Sequence, residues 1–291
     1  MSFEATKIFR TNGAALHYVE RGTGPPVVLV HGGVSDLRTW AEPMDTLATG
    51  FRVVAYSRRY ARPNEDIPES APDPIERHVE DLETLLENHV GEAAHLVGHS
   101  WGALIVLLLC LRKPGLARSM TLIEPPAITL FVDIPPKPLP LLRLFLTAPG
   151  TALAILRFGA TVIGPAEKAF RRDDDEKALE IFGKGVLGPE RFAGLSKERY
   201  DQVWQNRKTD KAQILGSAFP ALDRDAIAKT MIPALLLTGS RSPAVFHKVI
   251  GHLDALLPLS RLVRIENASH IVHEDAPDAF DTALGDFLKS H

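Results

Sequence analysis

The sequence predicts an α/β fold with a doubly wound, mostly parallel sheet and an inserted helical cap. Three observations support this prediction. Short apolar runs rich in β-branched residues alternate with helical periods in the first part of the chain, and the alternation resumes near the end. Between these parts, residues 126–217 carry helical periods and no convincing strand. With 45% hydrophobic residues among 291, the chain can bury a large core. We therefore expect a core of residues 1–125 and 218–291, and a cap of residues 126–217.

The first predicted elements already indicate βαβ units. Residues 15–19 alternate as a strand does, and a Gly/Pro turn follows them. Residues 27–30 form a continuous run of Val and Leu, which is typical of a parallel strand covered on both faces. Residues 51–56 predict a further strand. Residues 75–90 predict a helix, because their apolar residues recur at helical spacing and acidic residues occupy the other face.

The later elements are predicted on the same grounds. Before the cap they are a strand at 95–97, a helix at 101–112 and a strand at 119–123. Within the cap, helical periods cover 166–185 and 196–207. After the cap they are a strand at 232–238, a helix at 244–257, a strand at 261–265 and a helix at 277–288.

Charge and composition exclude several function classes. Thirty-six acidic and 33 basic residues give a net charge of −3, so neither nucleic acid nor an anionic membrane is an expected partner. The longest apolar run, 103–111, has about half the length of a membrane-spanning helix. No secretory signal precedes the first strand, which favours a cytoplasmic protein. Cys110 is the single cysteine and is expected in the core, so neither a disulfide nor a structural zinc site is predicted.

A candidate nucleophile lies where the predicted strand 95–97 meets the helix 101–112. The junction reads Gly98-His99-Ser100-Trp101-Gly102, a G-x-S-x-G pattern with a strand before it and a helix after it. Such a turn would hold the Ser100 hydroxyl above the sheet at a helix N-terminus, where developing negative charge is stabilised. The alternative is an ordinary Gly/Ser turn between a strand and a helix.

A serine nucleophile requires a base to remove its proton, and eleven histidines are available. His270 is the best placed, because it lies in a short polar loop after the last strand, where the carboxyl ends of the strands converge. His273 is the second candidate. His99 adjoins Ser100, but neighbours on so sharp a turn point apart, so it is expected to pack beside the helix. The alternative for His270 is a surface or capping histidine.

An oxyanion formed during acyl transfer needs two N–H donors. The residue after the nucleophile supplies one, which is the Trp101 amide here. The second is expected from the loop after strand 27–30, where His31-Gly32-Gly33 would allow close backbone approach and present the Gly33 amide. The alternative is that these glycines serve only the turn.

Together these stretches resemble the α/β-hydrolase superfamily over essentially the whole chain outside the cap. The order and spacing of four segments carry the resemblance: 27–33, 96–102, 233–239 and 268–277. The resemblance implies an eight-stranded, mostly parallel sheet with the cap after the sixth strand, and it implies Ser100 as nucleophile and His270 as base. Dehalogenases and epoxide hydrolases of the superfamily use an aspartate at this turn, so Ser100 argues against both activities.

Two segments depart from the pattern of the superfamily. The loop after the seventh strand usually holds the acidic residue of the triad, but residues 239–243 read Gly-Ser-Arg-Ser-Pro and place Ser242 there. The turn after strand 51–56 carries Arg58, Arg59 and Arg62 in place of the usual glycine-rich sequence. These arginines are expected either on a solvated face or in contact with an acidic group of the substrate.

A carboxylate must still orient the catalytic histidine. Glu124 is the candidate, because it ends the strand beside the nucleophile strand and so lies at the same edge of the sheet as Ser100. Some members of the superfamily take their acid from this position. The alternative for Glu124 is a glutamate in a salt bridge or a helix cap.

The predicted function is that of a serine hydrolase without cofactor or metal, which cleaves a small or medium carboxylic ester through an acyl-enzyme. The cap is rich in Leu and Phe, so an apolar substrate is expected, and replacement of Phe145 or Trp204 should change the preferred ester length. Lactone hydrolysis, C–C bond hydrolysis and perhydrolysis stay open on the same residues. So does a ligand-binding protein without turnover, since the usual aspartate is missing.

Overall fold

A computed structural model describes residues 6–69, 71–134, 136–216 and 219–291 of the chain. The strands are β1 (Lys7–Thr11), β2 (Ala14–Arg21), β3 (Pro26–Val30), β4 (Arg52–Tyr56), β5 (Ala94–His99), β6 (Ala117–Ile123), β7 (Ala234–Gly239) and β8 (Ser260–Ile265). They form one eight-stranded sheet in the order β1-β2-β4-β3-β5-β6-β7-β8. The pairs β1/β2 and β2/β4 are antiparallel, and the pairs from β4 through β8 are parallel. The predicted fold class, a mostly parallel eight-stranded sheet, is therefore confirmed.

The helices are α1 (Ala41–Leu47), α2 (Ile75–Leu85), α3 (Trp101–Arg112), α4 (Pro138–Thr147), α5 (Pro149–Phe158), α6 (Gly164–Phe170), α7 (Asp175–Leu187), α8 (Pro189–Ala193), α9 (Lys197–Gln205), α10 (Arg207–Gly216), α11 (Arg224–Ala228), α12 (Ala244–Leu256), α13 (Val272–Asp275) and α14 (Pro277–Lys289). Shorter 3₁₀ segments are Leu37–Trp40, Pro114–Leu116 and Ile128–Leu130, and π-helical turns are Leu86–Val90 and Gly159–Ile163. No described helix has the length and apolar character needed to cross a membrane.

The central strands bury both faces, as the continuous apolar run in β3 predicts. Val28 and Val30 pack with α2, α3 and α12, whereas Val27 and Leu29 pack with α1 and α14. Successive side chains of a strand point to opposite faces of the sheet, so helices must cover both sides. The sheet is doubly wound, and the carboxyl ends of its parallel strands meet at one edge.

Between β6 and β7 the described residues form α4 to α11 and contain no strand, in line with the predicted insertion. The helical period 166–185 is interrupted: α6 ends at Phe170 and α7 begins at Asp175, where the Asp174 carboxylate accepts a bond from the Lys177 amide at 3.1 Å. The division into core and cap stays a prediction, and its boundary at residues 217 and 218 lies outside the described residues.

Two further comparisons between sequence and structure concern strand β1 and Cys110. Strand β1 was not among the predicted elements; it is a short edge strand that buries Phe9 but leaves Ile8 exposed, so its apolar pattern is weak. Cys110 lies in the core as predicted, and burial raises the pKa of its thiol to about 12.

Candidate active site

Ser100 occupies a strained turn between β5 and α3. Its φ of 50° lies in the left-handed region, which non-glycine residues rarely adopt. A Cβ at Gly98 would lie 2.5 Å from Ala103 Cα, and one at Gly102 would lie 2.2 Å from the Val30 carbonyl oxygen. Both flanking positions therefore require glycine. The turn ends β5 and begins a helix at once, as the G-x-S-x-G pattern predicts.

Glu124 and His270 are in direct contact. Glu124 follows β6 and is fully buried, and the His270 Nδ1–H donates to its Oε2 at 2.6 Å. The other oxygen of Glu124, Oε1, accepts bonds from the Thr238 hydroxyl at 2.6 Å and from the Gly239 amide at 3.0 Å. With the proton held on Nδ1, the His270 Nε2 is the nitrogen that can accept a proton.

The imidazole of His270 is fixed by packing as well as by this hydrogen bond. The ring of Phe246 stacks on it, with centroids 4.3 Å apart and planes inclined by 25°. His99 is buried, and its Nε2 donates to the His270 backbone carbonyl at 2.9 Å. Burial holds the pKa of His99 well below its ordinary value, so this ring stays neutral and acts as a donor.

His273 and Ser242 take other positions. His273 is buried against Trp40, with ring centroids 4.5 Å apart, and it does not line the cavity described below. Burial lowers the pKa of His273 to about 4. Ser242, at the usual place of the acid, is buried, and its hydroxyl has no hydrogen-bond partner among the described residues. The structure thus brings Glu124, and not Ser242, into contact with the histidine.

The loop after β3 is held by a buried arginine. Arg58 donates from Nε to the His31 carbonyl at 2.9 Å and from Nη2 to the Gly32 carbonyl at 2.7 Å. Its own amide donates to His31 Nε2 at 2.8 Å. These bonds fix the backbone that precedes Gly33. The expectation that the arginines form a solvated face or contact the substrate is wrong for Arg58, which is buried behind the loop and lines no part of the cavity.

Arg59 and Arg62 differ from Arg58 in their surroundings. Arg59 is buried and forms a bidentate pair with Asp81 at 2.5 and 2.9 Å, so both expectations fail for it as well. The side chain of Arg62 is 44% exposed and forms an ion pair with Asp66 at 3.4 Å. Arg62 alone fits the solvated face that the sequence predicts.

A cavity of about 500 Å³ joins the predicted site residues. Gly33, Ser100, Trp101 and His270 line it from the sheet. Most of the remaining lining is apolar and comes from the helices between β6 and β7, including Ile155, Phe158, Ile163, Leu179, Phe182 and Val186. A largely apolar cavity with a few polar groups at one end is typical of a site for a small organic molecule.

The apolar residues of the cavity are not those that the sequence indicated. Phe145 and Trp204 are each 38% exposed and do not line the cavity, so the prediction that they face the site is wrong. The leucines of α4 do not line it either; Leu139 and Leu146 are more than three-quarters exposed, at 76% and 78%. The helical segments that contribute most to the cavity lining are α5, the π-helical turn Gly159–Ile163, α7, α10 and α12.

Besides Glu167 and Arg199, sequence reasoning missed two polar residues of the cavity that share one helix, Asp210 and Gln213 on α10. Both are buried, but a single polar helix gives no signal of which face meets a cavity. No group of three or more His, Cys, Asp or Glu side chains within the described ranges is arranged to hold a metal ion.

Comparisons with known proteins agree with this architecture. The sequence profile of a family described as alpha/beta hydrolase fold matches residues 25–277. The chain is 25% identical over 302 residues to the bifunctional epoxide hydrolase 2 of Sus scrofa, covering 96% of this chain and 54% of that protein. The chain thus spans about half the length of this curated relative.

Two solved structures resemble the whole chain. An alpha/beta hydrolase from Sphaerobacter thermophilus DSM 20745 has a TM-score of 0.69 at 25% identity, covering 97% of this chain and 100% of the other. The esterase RhEst1 from Rhodococcus sp. ECU1013 has a TM-score of 0.75 at 20% identity, covering 98% and 99%. The second likeness shows the fold alone.

Proposed function

The chain belongs to the α/β-hydrolase fold family, and from this premise we propose that it is a serine hydrolase of small or medium carboxylic esters with an apolar acyl or alcohol part. The observation that carries the proposal is the 2.6 Å contact between Glu124 and His270 beside the cavity that Ser100 lines. A nucleophile, a base and a carboxylate that orients the base are the three groups that acyl transfer by serine requires.

In the proposed reaction, the Ser100 Oγ attacks the ester carbonyl while His270 Nε2 takes its proton. The Trp101 and Gly33 amides donate to the oxyanion of the tetrahedral intermediate. The C–O bond to the alcohol then breaks, and His270 returns the proton to the leaving alcohol. Water, deprotonated by His270, attacks the acyl-enzyme in the same way and releases the acid and free Ser100.

The chemistry of serine also bears on the epoxide hydrolase named among the relatives. A carboxylate that opens an epoxide gives an ester, which water can cleave at its carbonyl. A serine that opened an epoxide would give an ether, which has no carbonyl for water to attack. Ser100 at the turn therefore favours acyl transfer over epoxide hydrolysis for this chain.

The ligand-binding alternative without turnover was motivated by the missing aspartate after β7. The contact of Glu124 with His270 supplies the carboxylate that this alternative assumes to be absent. Lactone hydrolysis, C–C bond hydrolysis and perhydrolysis would use the same residues. Each of these reactions can be assayed with the same purified protein.

The proposal is tested by turnover and labelling together. The protein is expected to hydrolyse p-nitrophenyl acetate or butyrate and to react once with a fluorophosphonate, and peptide mass spectrometry should place the adduct on Ser100. Lactones and thioesters of several chain lengths in parallel would identify the preferred acyl compound. An adduct on another residue would contradict the assignment of Ser100. The absence of both turnover and labelling would favour the ligand-binding alternative.

Replacing Phe182 by alanine is expected to lengthen the preferred acyl chain by about two carbons, because Phe182 lines the cavity and each further buried methylene contributes about 0.8 kcal/mol. The measurement is kcat/KM for p-nitrophenyl esters from acetate to decanoate. Phe145→Ala is the matched control, since Phe145 lies outside the cavity and should cause no change in preference. Equal losses of activity on all esters with Phe182→Ala would indicate a structural role instead.

A further inference from the structure

Helix α10 places two polar side chains next to the proposed oxyanion loop. Asp210 and Gln213 are three residues apart and thus share one face of the helix, and both line the cavity. A Cβ at Gly33 would lie 3.2 Å from Asp210 Oδ1 and 3.6 Å from Gln213 Oε1. Both groups therefore lie beside the residue whose amide is proposed to bind the substrate oxyanion.

The hydrogen bonds of these two side chains are incomplete within the described chain. Asp210 is 3% exposed, and its Oδ2 has no hydrogen-bond partner among the described residues. The amide nitrogen of Gln213 donates away from the loop, to Asp73 Oδ2 at 3.4 Å, which leaves Oε1 on the side of Gly33. A buried carboxyl oxygen without a partner is costly unless a ligand satisfies it, and Asp210 lines the cavity in which a substrate would bind.

The charge around Asp210 favours a neutral polar ligand. Burial raises the pKa of Asp210 to about 7, and the nearby Arg58 guanidinium opposes this shift. Near neutral pH the carboxyl therefore exists in both states, as a donor and as an acceptor. A hydroxyl group can donate to the carboxylate of Asp210, or it can accept from the protonated carboxyl and donate to Gln213 Oε1. An ammonium group can only donate, and it would have to bind close to Arg58.

We propose that Asp210 and Gln213 form a specificity subsite that binds a hydroxyl group of the substrate close to its scissile carbonyl. The subsite deepens the proposed ester hydrolysis and rests on it. The substrate class is then a hydroxy ester, with an apolar remainder that occupies the rest of the cavity.

The test compares ethyl butyrate with ethyl 2-hydroxybutyrate, ethyl 3-hydroxybutyrate and 2-hydroxyethyl butyrate in a pH-stat. The measured quantity is the ratio of kcat/KM for each hydroxy ester to that for ethyl butyrate, in the wild type and in Asp210→Leu. For at least one hydroxy ester, the ratio should fall by about tenfold or more in Asp210→Leu. Dividing the two ratios removes the intrinsic reactivity of each ester.

Two further variants sharpen the comparison. Asp210→Asn keeps a donor and an acceptor at the same place, so it should retain more of the preference than Asp210→Leu. Asp281→Leu is the matched control: one oxygen of Asp281 also lacks a hydrogen-bond partner among the described residues, but this residue lies on α14 and does not line the cavity. Its ratios should equal those of the wild type.

Unchanged ratios for all three hydroxy esters in Asp210→Leu would overturn the subsite. A preference that depends on Asp210 only for ethyl 2-aminobutyrate would overturn the choice of a hydroxyl ligand. A binding measurement distinguishes failure of the subsite from failure of the proposed ester hydrolysis, because binding can be measured without turnover. Calorimetric titration with the hydroxy esters compares the Ser100→Ala variant with the variant that carries both Ser100→Ala and Asp210→Leu. The Kd of at least one hydroxy ester should be about tenfold higher in the double variant. Equal Kd values for all three would again overturn the subsite.

Discussion

Replacing Ser100 by alanine is expected to lower kcat for ester hydrolysis by about 10⁶-fold, as removal of the nucleophile does in a serine protease. Alanine keeps the Cβ that the serine already places at a φ of 50°, so the strained turn and the fold should persist. The measurement is kcat with p-nitrophenyl butyrate, together with the thermal unfolding midpoint. A residual rate above that of water would come from the oxyanion donors and substrate binding.

His270→Ala should be about as damaging as Ser100→Ala, because the two residues act as one unit. The variant that combines both changes should then be no worse than either alone. His89→Ala is the matched control, since His89 is exposed and does not line the cavity. Losses that multiply in the double variant would show that Ser100 and His270 act independently.

Features fixed by neighbouring residues were predictable from the sequence. The turn at Ser100 needs glycine at 98 and 102 because a Cβ at either position would clash with backbone atoms at 2.5 Å or less, and that requirement is visible as G-x-S-x-G. The position of Glu124 was predictable for a related reason. Parallel strands end at one edge of the sheet, so a carboxylate at the end of β6 lies near a histidine that follows β8.

Features that depend on tertiary packing were not predictable in this way. A run of arginines after a strand predicts exposure, but Arg58 is buried because two loop carbonyls and the His31 ring meet its guanidinium and amide. The face of α10 that carries Asp210 shows no apolar stripe to reveal its burial. Phe145 was expected at the site because it belongs to the Leu- and Phe-rich part of the cap, yet it is partly exposed and does not line the cavity.

Glu124→Gln is expected to lower kcat by up to about 10⁴-fold with little change in KM. The Thr238 hydroxyl and the Gly239 amide both donate to Oε1, so the carbonyl oxygen of the glutamine must take that position. Its NH₂ group then faces His270 Nδ1, whose N–H donates a hydrogen bond to the carboxylate oxygen at 2.6 Å in the wild type. Nδ1 must become the acceptor, and the proton moves to Nε2, which can no longer deprotonate Ser100.

Steady-state kinetics of Glu124→Gln with p-nitrophenyl butyrate test this prediction, and Ser242→Ala is its control. The Ser242 hydroxyl has no hydrogen-bond partner among the residues the structure describes, so its loss should lower kcat by less than about tenfold. The reverse order, with Glu124→Gln nearly silent, would mean that the acid lies elsewhere or that Ser100 and His270 suffice. If Ser242→Asp restores activity to Glu124→Gln, both strand ends can supply the carboxylate, because either is close enough to the loop of His270 to hold its tautomer.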